Sequence, residues 1–147
     1  MSPNVIVSLT EALQAGVAVP DRLPVVLIVD DERIIADTLT AIFNRNGYTA
    51  LTAYDAKSAL RMASLIPPEL LLTDVMMPGM NGIDLAIAIE SLLPDCRILL
   101  FSGQASTVDL LARARTMGHD FTTLSKPVHP TELLKRASDT LLAARPA

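Results

Sequence analysis

Val25-Val26-Leu27-Ile28-Val29-Asp30-Asp31 is the stretch that decides the fold. Its first five residues are apolar and nearly all β-branched, the composition of a strand covered on both faces. The run stops at two aspartates. Ile34, Ile35, Thr38, Leu39 and Ile42 then recur at three- and four-residue steps up to Gly47, which predicts a helix over Glu32 to Asn46.

The same alternation continues to the end of the chain. Tyr48 to Thr52 reads as a strand and Lys57 to Ile66 as a helix, stopped by Pro67 and Pro68. Leu70 to Thr73 is a third strand running into Asp74, followed by a helix from Ile83 to Leu93 that Pro94 closes. Ile98 to Phe101, a helix from Thr107 to Met117 capped by Gly118, a strand from Phe121 to Leu124 and a helix from Thr131 to Leu142 complete five strand–helix pairs. Right-handed crossovers place such helices on both faces of one parallel sheet, and a ligand or reactive site then belongs at the carboxyl ends of the strands. Residues 1–24 carry Pro3, Pro20 and Pro24 and read as an arm, partly flexible, with one short helix from Thr10 to Ala15 that Gly16 stops. The domain proper is expected over residues 25–147.

Bulk composition narrows the function classes. The chain has 147 residues, half of them hydrophobic, enough for one domain with a core. Twelve basic against 16 acidic residues give a net charge of -4, and with it no general attraction to a nucleic-acid backbone or an anionic membrane. One cysteine, Cys96, excludes an internal disulfide framework and fits a small filler near a strand start. The apolar stretch Val25 to Val29 falls far short of the ~20 residues of a spanning helix. The N-terminus lacks a basic lead, and Glu11 closes its short apolar patch, so a cytoplasmic location is expected.

The strand ends carry the chemistry. Asp30 and Asp31 end the first strand, Asp74 the third, Ser102 the fourth and Lys126 the fifth. Three carboxylates drawn to one rim repel one another unless a cation joins them, and a hard divalent ion is the natural remedy. Mg2+ (or Mn2+) fits, with Asp31 and Asp74 as direct ligands, Asp30 acting through water and the backbone carbonyl of Met76 as a further oxygen. The Met76 thioether is too soft to serve. Phosphoryl transfer needs an in-line nucleophile and groups aimed at the equatorial oxygens. Asp74 supplies the first, Lys126 a point charge and Ser102 a hydroxyl donor.

Val-Asp-Asp from Val29, Leu-Leu-Thr-Asp-Val-Met-Met-Pro-Gly-Met-Asn-Gly from Leu71 to Gly82, Phe-Ser-Gly from Phe101 and Ser-Lys-Pro from Ser125 stand in order along the chain. Together they resemble the response-regulator receiver family, from Val25 to about Leu142. The resemblance implies a flavodoxin-like (βα)5 three-layer sandwich with strand order 2-1-3-4-5. It implies that a sensor histidine kinase or phosphotransfer protein donates a phosphoryl group to Asp74, giving an acyl phosphate, in a signalling domain that catalyses only its own phosphorylation and dephosphorylation. It further implies that Ser102 turns inward to the phosphoryl group, that the Lys126–Pro127 bond is cis, and that Pro78 and Gly82 shape the loop and launch the third helix. A dimer or partner surface on the fourth helix, fifth strand and fifth helix belongs to the same pattern. Only five residues follow Leu142, so a single-domain type is expected, with output through an unidentified effector protein.

The chain departs from the family where an aromatic residue usually stands three positions before the lysine: here it has Thr123. Phe121 shares the face of Thr123 by strand alternation and is expected to pack at the strand start, not to act as the switch. Val128 replaces a frequent phenylalanine, and Met76 and Gln104 stand where acyl-phosphate lifetime is tuned. Plainer roles exist for each residue singly. Asp30 can cap the first helix and Asp31 can favour its dipole. Asp74, Ser102 and Lys126 can be loop, turn and solvated residues. His119 and His129 are expected as exposed loop or cap residues, and Arg113, Arg115 and Arg136 as solvated helix faces. An interaction module without phosphorylation would lack an acceptor, acid or lysine. A small-molecule phosphohydrolase would carry a second acid where Met76 stands, and a dinucleotide-binding domain would need a Gly-rich first turn.

Overall fold

Each of the five apolar runs becomes a strand and each periodic stretch a helix in the computed structural model, which describes residues 22–103 and 107–143. In chain order they are β1 (Val25–Val29), α1 (Arg33–Asn44), β2 (Thr49–Ala53), α2 (Ala56–Leu65), β3 (Leu70–Asp74), α3 (Gly82–Leu92), β4 (Arg97–Ser102), α4 (Thr107–Thr116), β5 (Thr122–Ser125) and α5 (Pro130–Leu142). The strands form one parallel sheet in the order β2-β1-β3-β4-β5. The expected strand order and flavodoxin-like sandwich are therefore observed. The helix expected over Thr10 to Ala15, and Gln104, lie outside the described residues.

Strand alternation divides the core between the two faces. Leu27, Val29, Leu71 and Leu100 point to the side of α2, α3 and α4, where they meet Ala59, Ala63, Leu85, Ile89 and Ala114. Val26, Ile28, Leu70, Leu72, Leu99 and Phe101 point the other way, onto Phe43 of α1 and Leu133 and Ala137 of α5. β1 and β3 are buried along their whole length, as a strand covered on both faces requires.

Local chemistry sets the helix starts. Asp55 accepts from the Ser58 amide at 2.7 Å, and Asn81 from the Asp84 amide at 2.9 Å. His129 accepts from the Thr131 amide at 3.2 Å ahead of Pro130, so its expected cap role is observed. Asp30 does not cap α1, whose N-cap is Glu32 without a side-chain bond; its carboxylate instead accepts the Glu32 amide at 2.9 Å in a local turn.

Several expectations shift. The strand read as Phe121 to Leu124 runs from Thr122 to Ser125, the residues paired with Leu99 to Ser102 on β4, while the Phe121 ring ahead of it lies stacked on His119 with centroids 5.9 Å apart. His119 itself is half-buried and not exposed, held by a 2.9 Å hydrogen bond between Nδ1 and Glu90 Oε1 on α3. Arg113 and Arg115 are exposed as expected, whereas Arg136 is half-buried against the start of β5. Among the described residues no helix is long and apolar enough to cross a membrane.

Candidate functional site

Because all five strands run the same way, their last residues share one rim. Asp30 follows β1 and is fully buried, with its second oxygen, Oδ2, 3.4 Å from Lys126 Nζ. Asp31 is its exposed neighbour. Asp74 ends β3, 6% exposed, and its Oδ2 also lies 3.4 Å from Lys126 Nζ. One oxygen from each of Asp30, Asp31 and Asp74 can be chosen so that all three lie within 4.8 Å of one another. Two carboxylate charges at that spacing repel by roughly 3 to 4 kcal/mol at an effective dielectric of about 20. One ammonium pairs with two of the three acids, so a divalent cation would complete the balance of charge. The donors present are carboxylate oxygens, the hard ligands that Mg2+ or Mn2+ takes. The residues fit such an ion.

The rim shapes the ionisation of Asp74. Burial pushes its carboxyl above the ordinary carboxylate range, the Lys126 ammonium pulls it part of the way back, and the Asp30 charge raises it again. Lys126 is held from a third side, since Nζ sits 4.7 Å from the centroid of the Phe101 ring. Phe101 is opposite Asp74 in the β3–β4 ladder and presents one edge of an apolar cleft of about 450 Å³ lined also by Ile35, Leu39, Pro127, Val128 and Leu133. The Lys126–Pro127 peptide bond is cis.

The loop after β3 is clamped from below. Gly82 donates its amide to the Val75 carbonyl at 2.7 Å, and a Cβ on Gly82 would lie 2.0 Å from the Asp74 carbonyl oxygen. Only glycine lets the start of α3 approach the backbone of Asp74 so closely. Thr73 adds a 2.9 Å bond from its hydroxyl to the same carbonyl.

Ser102 lies one residue past the partner of Asp74 on the adjacent strand and is 7% exposed. Its hydroxyl makes a 2.7 Å hydrogen bond with Thr107, the first residue of α4. Met76 is 40% exposed beside the site, and Thr123 is half-buried. Sequence reasoning named Asp30, Asp31, Asp74, Ser102 and Lys126 but missed Phe101 beneath the lysine and Thr107 beside the serine. An apolar residue in a strand and a threonine at a helix start carry no signal of either contact.

A five-stranded parallel sandwich with an acid cluster and a lysine at its carboxyl rim defines the class of a flavodoxin-like signalling domain. The chain belongs to the response regulator receiver domain family, whose model matches residues 26–138. It is 32% identical over 113 residues to the DNA-binding response regulator MtrA of Mycobacterium tuberculosis, covering 76% of this chain and 47% of that protein. The chain thus spans about half the length of the curated relatives it matches. Among solved structures, it is similar to the signal receiver domain of an HD domain-containing protein from Pseudomonas fluorescens, at TM-score 0.76 and 30% identity over 85% of this chain and 91% of that one. A CheY-like receiver domain protein from Methanospirillum hungatei superposes at TM-score 0.73 and 29% identity over 81% of this chain and 94% of that one.

Proposed function

We propose that this receiver domain takes a phosphoryl group onto Asp74 from the phosphohistidine of a sensor kinase or phosphotransfer protein, and passes the signal to a protein partner. An Asp74 carboxylate oxygen attacks phosphorus in line as the phosphorus–nitrogen bond breaks. The bonding pair leaves with the imidazole, and the product is an acyl phosphate. When bound at Asp31 and Asp74, with Asp30 acting through water and the Met76 carbonyl as a further ligand, Mg2+ (or Mn2+) supplies charge neutralisation for the transferring group.

The chain's own residues do the rest. Lys126 stands ready to pair with a phosphoryl oxygen in place of a carboxylate, and Ser102 offers a hydroxyl donor. Burial of Asp74 and the clamp at Gly82 hold the nucleophile in one place, so little reorganisation is left for the reaction. Pro78 shapes the loop in between. The domain catalyses only its own phosphorylation and dephosphorylation. Its charge of -4 gives no general attraction to nucleic acid, which favours a protein as the recipient of the signal.

The observation that carries this reading is the shared ammonium: Lys126 Nζ stands 3.4 Å from both Asp30 and Asp74 inside the acid cluster. Incubation with Mg2+ and acetyl phosphate, followed by intact mass measurement, tests it. Wild type is expected to gain one phosphoryl group and Asp74→Ala none. Equal gain on both proteins would place the acceptor elsewhere.

A further inference from the structure

Helices α2 and α3 end side by side toward the amino rim of the sheet, and both end in apolar residues. Leu65 and Ile66 close the first and Leu92 and Leu93 the second, each pair followed by a proline. Leu65, Ile66 and Leu92 are 82%, 47% and 58% exposed. Neither helix carries a basic residue in its last turn, the type that favours a helix C-terminus in water. Between the two ends runs a cleft of about 250 Å³ lined by Ala63, Ser64, Pro67, Leu92 and Leu93. Apolar surface gathered in this way calls for a cover.

The chain enters the domain beside this patch. Arg22 pairs with Glu69 at 2.5 Å, and Glu69 stands two residues from Pro67 of the cleft. Residues 1–21, which lie outside the described residues, are thus attached next to the apolar surface that the domain leaves uncovered. Their composition suits it: Val5, Ile6, Val7, Leu9, Leu13 and Val17 stand against only two charges, Glu11 and Asp21. Leu9, Ala12 and Leu13 recur at the three- and four-residue steps of one helical face. So short a segment cannot bury these side chains in a core of its own.

We propose that the N-terminal arm folds back on its own domain and seats Leu9 and Leu13 on the patch formed by Leu65, Ile66, Leu92 and Leu93. Reach is no obstacle, since the chain between Leu13 and Arg22 spans up to ~30 Å when extended, about the diameter of a small domain. A second copy is a poorer occupant. Four partly exposed side chains present well under the ~800 Å² that each partner contributes to a standard interface. A tethered segment needs less, because a short linker holds it at an effective concentration of roughly millimolar order. The contact lies away from the acid cluster and is independent of the role of Asp74.

The test is amide hydrogen exchange on the full chain, with molar mass measured by light scattering at the same concentrations. In wild type the amides of residues 5–17 are expected to exchange about ten-fold or more slowly than those of an unstructured chain, from a monomer. The double variant Leu65→Gln/Leu92→Gln changes two exposed side chains and is expected to return those amides to the unstructured rate, while Leu70–Asp74 keeps its protection. An arm that exchanges at the unstructured rate in wild type overturns the contact and leaves the patch to a partner protein. Arm protection that survives the double variant overturns it as well. Should the double variant loosen Leu70–Asp74, Leu9→Gln/Leu13→Gln removes the contact from the arm and leaves the described core intact. Faster exchange of the Ile66 and Leu93 amides is then expected, and unchanged rates at both are fatal to the idea. A wild-type dimer whose arm protection disappears on dilution assigns the patch to a second copy, which is equally fatal.

Discussion

At the amino ends of the strands Arg22 pairs with Glu69 at 2.5 Å, Glu69 also accepts the Val25 amide, and Arg97 donates to the Ala143 carbonyl at 2.7 Å. At the carboxyl ends three acids cluster together, and two of them, the fully buried Asp30 and Asp74, share one lysine. The first rim satisfies its charged groups with an ion pair and backbone hydrogen bonds. The second holds an excess of negative charge, partly out of water, that the chain alone does not neutralise. An arrangement that weakens the metal-free fold in this way is characteristic of a site built to receive something.

The contrast can be broken most forcefully at Gly82. A methyl there meets the Asp74 carbonyl oxygen at 2.0 Å, and the neighbour is backbone that cannot rotate away. Gly82→Ala is expected to lower the unfolding free energy by about 3 kcal/mol, at the upper end for overpacking. Urea denaturation measures it, and a loss below about 1 kcal/mol would show that the clamp is loose.

Magnesium should act on one rim only. At a concentration of about 100 times its dissociation constant it is expected to stabilise wild type by about 2.7 kcal/mol. Asp74→Asn, one ligand short, should gain far less in the same thermal melts. Identical gains would mean that the ion binds elsewhere.

Without metal, the pH dependence has a definite sign. The Asp74 carboxyl lies above its ordinary range chiefly because it is buried, so the folded chain holds that proton more readily than the unfolded one. Its favourable contribution is complete below the ordinary carboxylate range and is lost as the pH rises through the elevated value. Asp74→Asn is therefore expected to melt at a higher temperature than wild type at neutral pH. The gap should close as the pH falls and the wild-type carboxyl takes up its proton. A gap independent of pH would assign the effect to packing instead of charge.

The amino rim supplies the smallest effect. Arg22 is largely exposed, and exposed pairs contribute little, so Arg22→Ala should change stability by less than about 1 kcal/mol and leave phosphorylation untouched. A larger loss, measured by the same denaturation, would show that this rim also stores charge.

Much of this architecture was legible in the residues. Apolar runs such as Val25–Val29 and Leu70–Leu72 marked the buried strands, and their parallel course placed Asp30, Asp74 and Lys126 on one rim. The limits of elements were less legible: Asp74 and Ser102, expected just past their strands, are the last residues within them, paired with Phe101 and Ser125 across the ladder. His119 read as a surface residue because nothing near it in the chain foretells Glu90, twenty-nine positions earlier on another helix.

Periodicity and residue type, which act over a few positions, were sufficient for the strands, the helices and the identity of the acids at the rim. Register and helix seating act between segments far apart in the chain, and only they decided that Lys126 lies over Phe101, that Gly82 touches the backbone of Asp74 and that Ser102 bonds to Thr107. The first group follows from where apolar surface must be buried. The second depends on distances of an ångström or less, which no one-dimensional pattern encodes.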